Sequence, residues 1–336
     1  MNFLDDAALE RLRLAADVPD LAETKYEIVR ELARGGMGTV YEAWDSELAR
    51  AVALKVVTAP EAMPGATARL MREARTLAGL EHPGIVPVHD IGTLPDGRLY
   101  YAMKLVRGTR LDEVALTSTR GELMRIFVRV CQAVAFAHMQ GIVHRDIKPQ
   151  NIMIGAFGEV LVLDWGIART GVKDQEPGAT GSEHVRNEDD ARPDSSPKAR
   201  APASLVPTAE GTVLGTPGYM APEQERGEID SIDARTDTFA LGRLLQWMIE
   251  TTGEPVPRAL AAVCERATSP VPDDRYQRAG LLAADVDAFV DKRPVSAYRE
   301  RALERFARVA TKYRTPILLV LAYLVMRVVI ILVESR

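Results

Sequence analysis

The stretch His144-Arg145-Asp146-Ile147-Lys148-Pro149-Gln150-Asn151 places a carboxylate, an ammonium group and an amide in one short run. A carboxylate such as Asp146 can orient a hydroxyl and accept its proton. Lys148 can neutralise a phosphoryl group in transit, and Asn151 can offer a carbonyl oxygen to a hard cation such as magnesium. Together the three support phosphoryl transfer. Asp164, followed by Trp165 and Gly166, adds a second carboxylate suited to a divalent ion. Upstream, Leu32, Ala33, Arg34, Gly35, Gly36, Met37, Gly38, Thr39 and Val40 form a glycine-rich turn, where backbone N–H groups can approach phosphates without a Cβ in the way.

These groups need elements to carry them. Alternating apolar residues predict strands over Tyr26–Leu32, Gly38–Trp44 and Ala51–Val57, then a helix over Ala66–Leu80 and strands over Ile85–Ile91 and Leu99–Lys104. After Gly108 the pattern turns helical, with Leu123, Ile126, Phe127, Val130, Val134 and Phe136 spaced for one buried face. A short hairpin, Ile152–Ile154 with Val160–Leu163, follows the acidic loop, and helices dominate the remainder. Lys55 falls on a strand and Glu73 in the middle of the next helix.

With 336 residues and 47% apolar content, the chain can bury a two-lobed domain of about 250 residues and retain appendages. A formal net charge of -5 argues against a general nucleic-acid binder. Cys131 and Cys264 sit inside apolar helical patterns and read as buried reduced thiols. Residues 1–20 are mixed in charge, with no apolar run to serve as a signal peptide. Leu4, Leu9, Leu12 and Leu14 predict a helical extension over residues 1–25. Residues 170–210 are rich in Pro, Gly, Ser, Asp and Glu and poor in large apolar residues, the composition of a disordered insertion.

The motifs resemble those of the bacterial eukaryotic-type serine/threonine protein kinases. His144 to Asn151 is similar to the catalytic loop, Val52-Ala53-Leu54-Lys55 to the strand bearing the nucleotide lysine, and Asp164-Trp165-Gly166 to the Asp-Phe-Gly motif. Gly215-Thr216-Pro217-Gly218-Tyr219-Met220-Ala221-Pro222-Glu223 is similar to the close of the activation segment. Two departures stand out: Ala33 replaces the first glycine of the loop, and the chain passes almost directly from Gly253 to a helix over Ala259–Ala267. The resemblance implies an α+β bilobal domain over residues 26–291, with a β-rich N-lobe (26–106) and a helical C-lobe (107–291). It also implies ATP and Mg2+ as cofactors and protein substrates bearing Ser or Thr. Asp146 and Lys148 would be catalytic, and Asn151 and Asp164 metal ligands. The glycine-rich turn, Lys55 and Glu73 would bind ATP, with Lys104 and Val106 giving main-chain contacts to adenine beside Met103. Glu223 would pair with Arg275, and Asp237 would brace the catalytic loop. Arg145 would receive a phosphate placed on the activation segment, with Thr208 and Thr212 as candidates. A pseudokinase scaffold and a small-molecule kinase are the competing readings. The presence of Lys55, Glu73, Asp146, Asn151 and Asp164 favours the enzyme.

Residues 316–333 are apolar except for Arg327, and the preceding segment, 292–315, is basic, with eight Lys or Arg by Arg314. Eighteen residues at about 1.5 Å each approach the hydrocarbon thickness. Arg327 costs about 2.5–3.5 kcal/mol on insertion scales, which the remaining side chains outweigh. The expectation is a C-terminal transmembrane helix in the cell inner membrane, with the kinase domain held on the cytoplasmic side by the basic flank. A homodimer or a membrane-protein partner for Arg327 is compatible with this.

Overall fold

The computed structural model describes residues 18–35, 38–57, 71, 74–76, 78–165, 216–299 and 314–334; within these, side chains at 229, 314–317, 321, 328–329 and 332–334 are not described. Gly36, Met37, Glu73, Thr208 and Thr212 therefore lie outside the described residues, as do residues 1–17, the insertion at 170–210 and residues 300–313.

The smaller lobe is a five-stranded antiparallel sheet in the order β1-β2-β3-β5-β4. Its strands are β1 (Tyr26–Gly35), β2 (Gly38–Asp45), β3 (Arg50–Val57), β4 (Val88–Thr93) and β5 (Leu99–Lys104). Period-two alternation divides β3 between two cores. Val52, Leu54 and Val56 join Tyr26, Tyr41, Tyr100 and Ala102 on the outer face, whereas Val57 joins Leu99 and Tyr101 in the core shared with the larger lobe. Lys55 shares the inner face and lies opposite Tyr101 in the register. The strand expected over Ile85–Ile91 starts only at Val88. Pro87 has no N–H to donate, and Ile85 makes a single parallel bridge to Val162 instead.

The larger lobe follows β6 (Gly108–Arg110) and α1 (Leu111–Val114). Helix α2 (Arg120–Met139) starts at a capping box, with Thr119 and Glu122 each satisfying the other's backbone amide. It buries Leu123, Met124, Phe127, Val130, Cys131, Ala133, Val134 and Ala137. Ile126 and Phe136 are only half-buried, because the face turns toward Met124 and Ala133. β7 (Ile152–Gly155) and β8 (Val160–Val162) pair with β6 in a three-stranded sheet. Then come α3 (Pro222–Glu225), α4 (Ala234–Thr251), α5 (Arg258–Ala267) and α6 (Ala279–Val290). α4 passes to α5 with no helix between, as the short sequence after Gly253 predicts.

Arg314–Glu334 is a single helix, α7, of 21 residues. Among the described residues no helix is long and apolar enough to cross a membrane, so the transmembrane helix expected over 316–333 lacks support there. Several side chains of α7 are among those not described.

Candidate active site

The acidic loop sits on buried supports. Asp237, in the first turn of α4, is fully buried and accepts from the amides of His144 (2.7 Å) and Arg145 (2.8 Å) and from His138 Nε2 (2.8 Å). Burial alone would push its carboxyl up; the His138 hydrogen bond, the nearby imidazoles and the amide of His144 outweigh that and hold it below the usual carboxylate range. Arg145, at the centre of this turn, has φ +68°, a left-handed conformation that the two amide bonds hold in place. Gln224 of α3 donates to the Arg145 carbonyl at 3.0 Å, fastening the later segment to the same loop.

Asp146, Lys148, Asn151 and Thr216 converge. Lys148 Nζ lies 2.9 Å from Asp146 Oδ2 and donates to Thr216 Oγ1 at 2.7 Å, while the Thr216 hydroxyl donates to Asp146 Oδ1 at 3.1 Å. Asn151 Nδ2 donates to the Asp146 carbonyl at 2.8 Å and to Oδ2 at 3.2 Å. With its amide nitrogen turned to Asp146, the Asn151 carbonyl oxygen points the other way.

Asp164 meets Lys55. Lys55 Nζ lies 2.8 Å from its Oδ1. Burial alone would favour a neutral amine, but the Tyr101 phenol and the Asp164 carboxylate keep Lys55 protonated, its pKa raised. Asp164 is correspondingly held below the usual carboxylate range, burial opposing and Lys55 prevailing. Its φ of +53° is a second left-handed non-glycine conformation. His144 links the two acidic segments. Its Nε2 donates to the Leu163 carbonyl at 2.8 Å, its Nδ1 accepts the Asp146 amide at 3.3 Å, and its ring packs on Trp165 at 4.8 Å. This is the neutral tautomer, consistent with a pKa lowered by burial. Trp165 Nε1 donates to the Val162 carbonyl at 3.1 Å, so the tryptophan at this position is both packed and satisfied.

Gly38 and Gly35 differ. A Cβ on Gly38 would stand 2.1 Å from the Val56 carbonyl oxygen, and its φ is +134°, so glycine is required there by the protein itself. At Gly35 no atom of the described residues lies within 4 Å of that position. Lys104 donates its amide to the Pro87 carbonyl at 3.1 Å, and Met103 lines a small hollow with Tyr101, Val88 and Asp164.

A buried ion pair anchors the close of the later segment. Arg275 donates to both Glu223 oxygens, at 2.7 and 2.8 Å, and neither side chain is more than 2% exposed. Arg275 also donates to the carbonyls of Ser269, Pro270 and Arg235, which completes its fork. Both thiols are buried and pushed up by burial, Cys264 to about 12, which leaves them unreactive.

The sequence pattern for the protein kinase domain matches residues 26–258. The chain belongs to that family. Among curated proteins, the serine/threonine-protein kinase PknD of Protochlamydia amoebophila is 32% identical, over 80% of this chain and 30% of that protein. The serine/threonine-protein kinase PknB of Mycobacterium tuberculosis is 35% identical, over 84% of this chain and 42% of that protein. The chain thus spans less than half the length of these kinases. The crystal structure of the Mycobacterium tuberculosis PknI kinase domain superposes with a TM-score of 0.55 at 26% identity, covering 79% of this chain and 96% of that one. The kinase fold, a sheet-based N-lobe on a helical C-lobe, is common to both.

Tyr101, His138 and Gln224 are site residues that the sequence alone did not single out. Gln224 carries the clearest overlooked signal, a polar side chain directly after Glu223 in the first turn of a helix.

Proposed function

We propose that the protein is a serine/threonine protein kinase that transfers the ATP γ-phosphoryl group to Ser and Thr hydroxyls of protein substrates. The observation that carries this reading is the Asp146, Lys148 and Asn151 cluster joined through His144 to the segment where Asp164 meets Lys55. The donor set fits magnesium: an ionised carboxylate on Asp164 and an amide oxygen on Asn151 are hard oxygen ligands. Gly35 fits a phosphate-binding turn, together with the flanking residues 32–34 and 38–40. Magnesium, when bound, neutralises phosphate charge. Asp146 orients the substrate hydroxyl and accepts its proton as the new O–P bond forms and the bond to ADP breaks. Lys148 balances charge beside it, and the Lys148 to Thr216 contact favours Ser or Thr substrates. Lys55 holds ATP phosphates and Glu73 supports it. Lys104 and Val106 offer main-chain groups to adenine.

Labelling from γ-labelled ATP with magnesium, using the purified protein and a generic basic protein as acceptor, tests this against Asp146→Asn. The variant should lose about 10²- to 10⁴-fold in rate. Equal labelling by both proteins would remove Asp146 from the chemistry. Nucleotide binding without any labelling would establish the scaffold reading instead. Thr208 and Thr212 are the proposed autophosphorylation positions, with Arg145 as the receiving guanidinium. Mass spectrometry after incubation with ATP and magnesium should find phosphate there in active protein.

Membrane tethering through α7 is part of the same proposal. Leu318, Leu319, Val320, Tyr323, Leu324, Val325, Met326, Ile330 and Ile331 are all exposed on this helix, from 44% to 67%. Such a row of large apolar side chains calls for a cover, and the basic segment before it suits the cytoplasmic face of the inner membrane.

A further inference from the structure

A cavity of about 490 Å³ opens at the end of the larger lobe, where the first turn of α2 meets α5, the end of α6 and the segment after it. Its volume is that of a small-ligand site, and it shares no lining residue with the phosphotransfer cleft. The floor is apolar, built from Met124, Phe289, Val290 and Val295. The wall after α6 is held deliberately in place. Asp285, 6% exposed, accepts from Ser296 N and Oγ at 2.7 Å, from Ala297 N at 3.1 Å and from Tyr276 Oη at 2.7 Å.

Cations surround this floor. Arg293 is paired with Asp287 and Asp291, at 3.0 and 3.1 Å, and Arg120 reaches Glu254 at 3.3 Å. Arg125 and Lys292 are both exposed at the rim; Arg125 acts on Glu122 one turn earlier, but neither side chain makes a direct ion pair among the described residues. A neutral apolar ligand would leave the Lys292 and Arg125 heads to water, and a bare anion would leave the apolar floor wet. An amphipathic anion satisfies both requirements.

We propose that this cavity binds a phosphate or carboxylate head group together with an alkyl chain attached to it. The head group lies against Arg125 and Lys292, and the chain lies over Phe289, Val290 and Val295. The ligand can come from a bilayer phospholipid or from a free amphiphile. The site depends neither on phosphoryl transfer nor on the proposed tether.

The test uses the full chain in phosphatidylcholine nanodiscs. Backbone hydrogen exchange is followed at the start of α2 and across the α6 end and its following segment as dodecyl phosphate, dodecyl maltoside or inorganic phosphate is added. Dodecyl phosphate should slow exchange at these two places together, with the other two additions much weaker. Arg125→Glu with Lys292→Glu should weaken the effect about tenfold or more, corresponding to the loss of charge-assisted hydrogen bonds. Both side chains are exposed, so the fold survives, and the milder Arg125→Gln with Lys292→Gln should fall between. Equal protection by dodecyl maltoside, protection by inorganic phosphate alone, no protection, or an unchanged affinity in the charge-reversed variant would each overturn the assignment. Protection on replacing part of the lipid with phosphatidylglycerol identifies the bilayer as the source. Protection by dodecyl phosphate but not by phosphatidylglycerol identifies a free amphiphile. If the chain proves soluble without nanodiscs, the same additions are made in solution, so loss of the tether leaves this site independently testable.

Discussion

Thr216 closes a triangle with Asp146 and Lys148, so one hydroxyl sets the position of both the proton acceptor and its neighbouring cation. Thr216→Val removes two hydrogen bonds of about 0.5–1.5 kcal/mol each. The labelling rate should fall about tenfold or more, while thermal denaturation shifts only a few degrees. An equal loss in both measurements would make the hydroxyl merely structural. His144 sets a pH dependence. Its buried ring has a depressed pKa, so as pH falls below about 6.5 the unfolded chain takes up a proton that the folded chain refuses. His82 and His89 are depressed in the same direction, also by burial. Melting temperature should therefore be highest above this pH and decline steadily below it, as a pH series of thermal scans would record. Asp146, Lys148 and Asn151 are legible in the sequence because they share one short loop. Tyr101 and His138 are not: the first meets Lys55 through strand register and the second meets Asp237 through helix packing, and neither relation leaves a local pattern.

At the scale of elements, the buried Glu223–Arg275 pair joins α3 to the loop before α6. Glu223→Ala leaves a guanidinium buried without its carboxylate, and such losses cost about 3–5 kcal/mol. Chemical denaturation should register a loss of this order, with Glu223→Gln losing less because it retains a carbonyl acceptor. Asp237→Asn exchanges an acceptor-only side chain for one with a donor facing two amides. The rate should fall by more than stability, since the amides it orients belong to the acidic loop. Strand and helix identities are largely legible: β3 is a short apolar run broken only by Lys55, as a strand buried on both faces should be, and α2 has its capping box and apolar face in plain sequence. Boundaries are less so. β1 runs on to Gly35 through two register shifts, and Pro87 delays β4. In both cases hydrogen bonds to a neighbouring strand, or the lack of a donor, decide where pairing holds.

For the whole molecule, the two cores meet at the inner face of the small sheet, where Leu99, Tyr101 and Val57 join the larger lobe. The proposed tether belongs at this scale. Deleting residues from Arg314 onward should move the protein from the membrane pellet to the soluble fraction, and wild-type protein found wholly in that fraction would discard the tether. The bilobal outline is legible because motifs occur in a fixed order along the chain. The cavity beneath α2 is not, since its lining comes from three separated segments. The Lys55–Asp164 contact has one more consequence. It joins a strand of the small lobe to the large one through the carboxylate proposed to hold a divalent ion. An ion held there would compete with an ammonium group for that carboxylate, and nucleotide phosphates beside it would give the lysine another anion. Ion and nucleotide should therefore each bind better in the other's presence, because together they replace both halves of the Lys55–Asp164 bond.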